Sequence, residues 1–323
     1  MKKLVLSIII TSFFFISYSQ VTDGEAKLVD KTTVKDTLDG WKTGGVMSIT
    51  LNQVSLTNWA AGGLNSISLG GFFNVYANLK KGKNTWDNNL DLAYGIIRQG
   101  DSKAVWIKND DRIDFTSKYG RQIKNSWYYA ALVNFRSQFA PGYATPLKIN
   151  KISDLLSPAY VLGAIGLDFK PNESFYLFLA PLTSKTTIVN DQKLANAGAF
   201  GVEKAVYDAT TGNVITAGKN IRNEFGGYLK MVYQKTIMEN IGFQTKLDLF
   251  SNYTHNPQNI DVNWQNMVTM KVNEHISASL STHLIYDDDI DIGVDSNNDG
   301  INEKVGSRTQ FKQTFGAGFS YKF

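Results

Sequence analysis

The final residues of the chain limit its fold more than any other feature. Phe311, Gln313, Phe315, Ala317, Phe319, Tyr321 and Phe323 alternate with Lys312, Thr314, Gly316, Gly318, Ser320 and Lys322, ending at the last position. Successive side chains of a strand point to opposite faces, so this segment is a strand with one oily and one wet face. The wet face carries lysines, which a closed soluble core rarely buries, beside glycines.

The pattern recurs. Ile276, Ala278, Leu280, Thr282 and Leu284 oppose Ser277, Ser279, Ser281 and His283. Ile241, Phe243, Thr245, Leu247 and Leu249 oppose Gly242, Gln244, Lys246 and Asp248. Twelve strands are predicted, over 43–54, 64–80, 84–99, 105–120, 126–139, 158–170, 174–184, 221–235, 240–251, 260–272, 275–287 and 309–323. Nearly all reach the nine to eleven residues, roughly, that a strand needs to cross a bilayer. Tight turns near 81–83, 122–125, 171–173, 236–239 and 273–274 alternate with longer connections at 55–63, 100–104, 140–157, 185–220, 252–259 and 288–308. Short periplasmic turns and long outer loops are the habit of outer-membrane barrels. The expected fold is therefore all-β: a transmembrane antiparallel up-and-down barrel of about 12 strands, with both termini periplasmic. Outward aromatics fit two girdles. Tyr119, Trp127, Phe169, Phe175, Tyr233, Phe243 and Phe323 lie toward the tight turns; Phe139, Tyr286 and Phe311 lie toward the long loops.

The N-terminus indicates export. Lys2 and Lys3 precede an apolar core from Leu4 to Ile16, and Ser17 and Ser19 supply a small-x-small cleavage pattern before Gln20. Residues 1–19 read as a signal peptide, 20–40 as a short periplasmic extension and 41–323 as the barrel. The chain contains no cysteine, so neither disulfides nor a lipid-anchored cysteine enter the fold. The net charge of +4 is spread along the chain without a basic cluster, which excludes nucleic acid as the expected partner. The expected partners are outer-membrane lipid and an outer-membrane or periplasmic protein.

Lys108, Asp110, Arg112, Asp114 and Lys118 of the fourth strand share one parity, the lumen side, with Asp87, Asp91 and Arg136 as neighbouring lumen charges. They form either a charged constriction that filters solutes or a polar plug that holds a narrow barrel together. Asn109 and Asp111 then fall on the outward face, so the strand either projects above the membrane or contains a bulge. Lower down, Lys80, Lys118, Lys170, Lys271 and Lys322 outnumber Asp87 and Asp168, so a pore would mildly prefer anions.

In the loop 287–303, Asp295, Asn297, Asp299 and Glu303 with Gly300 resemble the first half of a calcium loop. Gly306 stands where such a loop needs its bidentate glutamate, and Asp287, Asp288, Asp289 and Asp291 are candidates to make up the shortfall. Calcium there would order an outer loop. Within the long connection, Val202–Tyr207 and Val214–Ala217 flank Thr211-Gly212-Asn213, a hairpin signal.

An enzyme is not expected. There are three histidines, and His275 and His283 stand about 26 Å apart along one strand. His283 shares the lumen face with Ser281, the slender basis for a lipid-modifying activity. Phosphate-cradling glycine loops, zinc spacings and nucleophile elbows are lacking.

The run Ser48-Ile-Thr-Leu-Asn-Gln-Val-Ser-Leu-Thr-Asn-Trp-Ala-Ala-Gly-Gly63 resembles the opening of a bacteroidete family of uncharacterised outer-membrane β-barrel proteins catalogued as a domain of unknown function. Lys108-Asn-Asp-Asp-Arg-Ile-Asp-Phe-Thr-Ser-Lys118 and Phe139-Ala-Pro-Gly-Tyr143 are similar to its later segments. The resemblance implies the barrel and its location and brings no catalytic residues. The expected role is a narrow channel for small solutes with a charged lumen. The alternatives are a non-conducting subunit of an outer-membrane assembly and, more distantly, a lipid-modifying enzyme.

Overall fold

The computed structural model describes residues 39–55, 64–100, 104–143, 150–172, 174–273, 276–294 and 304–322. Twelve long strands form one antiparallel sheet: β1 (Gly40–Val54), β2 (Ser66–Lys81), β3 (Asn84–Gln99), β4 (Ile107–Lys124), β5 (Trp127–Ser137), β6 (Ala159–Asn172), β7 (Phe175–Ile188), β8 (Ile221–Met238), β9 (Ile241–Asn252), β10 (Ile260–Lys271), β11 (Ile276–Tyr286) and β12 (Gln310–Lys322). Each strand pairs with its sequence neighbours, and β12 returns to β1, so the sheet closes into a barrel. The seam is short. Val46–Ile49 pair with Phe319–Lys322, whereas β1 and β2 stay in register from Gly40↔Lys80 to Val54↔Ser66. All twelve expected strands are present, with ends shifted by a few residues.

Side-chain alternation sets the two faces. Met47, Ile49, Leu51, Phe73, Trp86, Phe115, Trp127, Ile165, Trp264, Phe315 and Phe319 are exposed on the outside. A contiguous oily exterior of this size is one that water does not tolerate. Near the tight-turn end, Trp41 packs on Trp86 at 5.8 Å and Trp127 on Phe169 at 4.6 Å between ring centroids. At the long-loop end Phe225 meets Tyr253 edge-on at 6.1 Å. Amphipathic rings at two levels match the girdles expected at the edges of an apolar slab.

The turns follow from local chemistry. Gly82 takes φ +56° and its N–H donates to both carboxylate oxygens of Asp39 at 3.0 Å, tying β1 to the β2–β3 turn. Asn125, at φ 50°, turns the chain between β4 and β5, as asparagine does more readily than most residues.

The long connection after β7 is folded. Asp191 caps helix α1 (Gln192–Asn196), accepting from the N–H groups of Lys193 and Leu194 at 2.8 and 3.2 Å. Val189, Leu194, Ala195, Phe200 and Val202 bury a small core of their own. Val206–Tyr207 pair with Val214–Thr216 around Gly212 at φ +69°, the hairpin expected there.

Candidate functional site

The interior is filled by ion pairs and rings arranged in levels. Toward the tight turns, Lys118 lies 3.2 Å from Asp168 and donates to the Tyr176 hydroxyl at 2.9 Å; that hydroxyl donates to Asp168 at 3.0 Å. Lys170 adds contacts to Asp168 at 3.6 Å and Asp87 at 3.8 Å. At mid-height Asp91 and Asp114 face each other across the β3–β4 ladder, both fully buried. Two adjacent buried carboxylates repel unless each is hydrogen-bonded to other donors. Asn74 donates to Asp91 at 2.6 Å, Asn134 donates to Asp114 at 2.6 Å, and Arg136 lies 3.3 Å from Asp114. On the far side Lys230 sits 3.1 Å from Asp248, which also accepts from the Tyr228 hydroxyl at 2.7 Å. Toward the long loops, Lys185 gathers Asp261 at 2.9 Å, Glu224 at 3.4 Å and Asp287 at 3.7 Å.

The eight lumen charges read from the sequence are thus divided. Asp91, Asp114, Arg136 and Arg112 belong to the middle level, with Arg112 two residues before Asp114 on the same face of β4. Asp87 and Lys118 belong to the lower level. Asp110 is exposed opposite Gly95. Lys108 does not share their face. The β3–β4 register slips between Gly95 and Ile96, leaving Asn109 as an extra residue, so Lys108 pairs with Ile96 on the outside. Its amine reaches Asp111 at 2.9 Å, Gln138 at 3.0 Å and the Ala140 carbonyl at 2.6 Å. Asp111 also accepts from the N–H groups of Phe139 and Ala140, so the misplaced polar residues fasten the following loop to the barrel rim.

Two features went unread in the sequence. Lys185, Glu224, Lys230, Asp248, Asp261 and Asp287 belong to the network, and the inward parity of their strands was the available signal. The lumen also carries an apolar cluster of Leu132, Leu162, Tyr176, Phe178, Tyr228, Val232 and Phe250, from β5 to β9. It fills that side. A cavity of about 30 Å³ remains between Leu162, Lys185, Tyr228, Asp248, Phe250 and Asp261, room for one or two waters.

The opposite wall differs. Inward residues Ser48, Thr50, Ser68, Gly70, Ser279, Ser281 and His283 are half-buried, and Asn52 and Lys312 are exposed although they face in. The imidazole Nε2 of His283 lies 2.9 Å from Asn263 Oδ1 and 3.4 Å from Gln265 Nε2, so its described partners are amides of β10.

Asp295, Asn297, Asp299 and Glu303, the expected calcium ligands, lie outside the described residues, as does His275. Of the nearby carboxylates, Asp287 pairs with Lys185, Asp289 with Arg222 at 3.1 Å, and Asp288 accepts from Asn259 and from the Tyr286 hydroxyl.

The outer loops are joined by Lys151, which lies 2.7 Å from Asp154 and also contacts Asp191 across from the neighbouring loop. The hydrogen bonds to Asp154 and Asp191 raise the lysine's pKa, and the same bonds lower both carboxylates below the ordinary aspartate range. A carboxylate with a depressed folded pKa stabilises the structure above its unfolded value, about 3.9, and that contribution disappears as pH falls through the folded value. Cleavage of the outer loops by an acid-stable protease is therefore expected to rise below about pH 4 while the barrel stays intact. Asp191→Asn should bring the sensitivity to neutral pH. Equal protection of both forms at pH 3 and pH 7 would discount the clasp.

Together these features define a closed twelve-stranded barrel with an oily exterior and a charged, largely packed interior. Residues 51–143 match the family described as Protein of unknown function (DUF3078), a span holding most of the first motif and both later ones. No curated protein sequence matches the chain. Solved structures similar to it include an outer membrane channel from Pseudomonas putida F1, with 9% identity, a TM-score of 0.39, and 89% of this chain and 97% of that chain covered. Another is the translocator domain of the autotransporter NalP from Neisseria meningitidis, with 7% identity, a TM-score of 0.33, and 91% and 93% covered.

Proposed function

We propose that the chain is exported, cleaved near Ser19/Gln20 and inserted in the outer membrane, where it forms a narrow passage for small solutes along the β1–β2–β11–β12 wall. The supporting observation is the asymmetry of the lumen. Leu132, Leu162, Phe178, Lys230 and Lys246 on one side keep at most 2% of their surface, while the small polar groups at Ser48, Thr50, Ser68 and Ser281 stay accessible to solvent. A pore lined by hydroxyls and glycines beside a rigid packed half has a fixed, small bore. No catalytic step enters this reading.

The test is single-channel recording of the refolded barrel in a planar bilayer. Steady openings are expected, and Thr50→Trp, which places a large ring on the accessible wall, should reduce them several-fold. Leu69→Trp, on the oily exterior, should leave them unchanged. A heat-modifiable barrel that never conducts would defeat the passage. The apolar cluster from β5 to β9 favours a second reading for that case, a non-conducting subunit of an outer-membrane assembly, which native pull-down of the full chain would examine.

A further inference from the structure

The middle of the lumen contains a buried amine that hydrogen-bonds to nothing among the described residues. Lys246 on β9 keeps 2% of its surface, and its Nζ makes no hydrogen bond among the described residues. The nearest carboxylates are engaged elsewhere: Asp248 with Lys230 and Tyr228, and Asp114 with Asn134 and Arg136. Arg136, 3% exposed, spends one nitrogen on Asp114, while its Nε and Nη1 have no hydrogen-bond partner among the described residues. In the strand register Lys246 pairs with Gln265, Gln265 with His283 and His283 with Lys312, so Lys246, His283 and Lys312 lie in one inward row from β9 to β12, and Arg136 of β5 is within electrostatic reach of that row although three strands separate β5 from β9. His283 on β11 interacts with both, and also with Arg112 and Lys312. Basic side chains from five strands therefore lie within electrostatic reach of one another in the lumen. A buried ammonium without a hydrogen-bond acceptor is costly, and charge-assisted hydrogen bonds to an anion are the strongest means of offsetting that cost.

We infer that Lys246 and Arg136, with Arg112, Lys312 and His283 around them, form a binding site for a small inorganic oxyanion in the barrel lumen. An anion with several oxygen acceptors can receive from Lys246 Nζ and the two idle Arg136 nitrogens together. Asp114 and Asp248 limit the excess charge, which favours a small ion over a polyanion. The site rests on the closed barrel and not on conduction. A silent bilayer recording leaves it standing, and a failed anion titration leaves the passage standing.

The experiment uses the refolded full barrel with inorganic phosphate as the probe and gluconate at matched ionic strength as the control. The thermal midpoint is expected to rise with phosphate and not with gluconate, and calorimetry is expected to find one site per chain. Lys246→Met should lose the phosphate response and, in gluconate, be at least as stable as the unaltered chain, because an uncompensated buried charge is gone. Lys246→Gln, which keeps a hydrogen-bonding group without the charge, should bind phosphate roughly tenfold more weakly or worse. Absence of phosphate binding to the unaltered barrel, or an equal response in Lys246→Met or Lys246→Gln, overturns the site. The binding measurement on the unaltered chain decides the question even where a variant does not refold.

Discussion

Gly226→Val should yield no closed barrel. Gly226 faces inward on β8, where the register against β7 slips between Gly226 and Tyr228. A Cβ placed there would run into the backbone carbonyl of Ser251 on β9 and the Phe250 ring. The obstruction is a neighbouring strand's main chain, which cannot rotate aside as a side chain can. The substitution must therefore push β8 away from β9 or break their ladder, with a cost at or above the upper range of overpacking, about 3 kcal/mol. The measurement is the fraction of heat-modifiable, compact barrel after refolding, expected near zero. Gly163→Val is the matched control, because a Cβ at Gly163 meets nothing within 4 Å. Equal refolding of the two variants would refute the close approach.

Asp248→Ala should destabilise the folded barrel by roughly 3–5 kcal/mol, the range for removing one partner of a buried ion pair. Asp248 is the acceptor for Lys230 and for the Tyr228 hydroxyl, and Lys246 lies within its electrostatic reach. Its loss leaves two buried ammonium groups facing each other with less opposing charge. The double variant Asp248→Ala, Lys230→Met should recover a large part of the loss, since removing both charges is far cheaper than removing one. Urea unfolding in a fixed lipid or detergent supplies the numbers. A single-variant loss below about 1 kcal/mol would place the pair in the category of solvated surface bridges.

Much of this architecture was legible in the residue order, for a specific reason. A strand exposed to lipid on one side and water on the other shows its period in every second residue, and the run Phe311 to Phe323 displays it without interruption. Turn lengths then carried an independent signal, and the strand count followed. The site was less legible. Parity places a residue inside or outside, but one bulge reverses it, which moved Lys108 from the lumen to the rim. The glycine opposite the bulge, Gly95, was a hint that alternation alone does not register. Neighbours along the sheet can be inferred from order, so Asp114 with Arg136 was accessible. Contacts across the lumen, such as Lys185 with Asp287, depend on barrel tilt and bore, which no local pattern encodes. The apolar cluster around Phe178 and Tyr228 escaped for a related reason: an oily residue on the inner face of a strand looks the same in sequence as one on the outer face.

The short seam between β1 and β12 has a mechanical consequence. A ring fails at its weakest joint, and among the described residues this one is held in register from Val46 to Ile49 while every other joint runs much further. Heating should therefore unzip the molecule from one side into a curled open sheet, with the packed β5–β9 half holding its shape longest. Backbone amides of β1 and β12 should exchange with solvent first. In the course of insertion the same joint would be the last to close, so the sheet becomes a ring only when β12 meets β1.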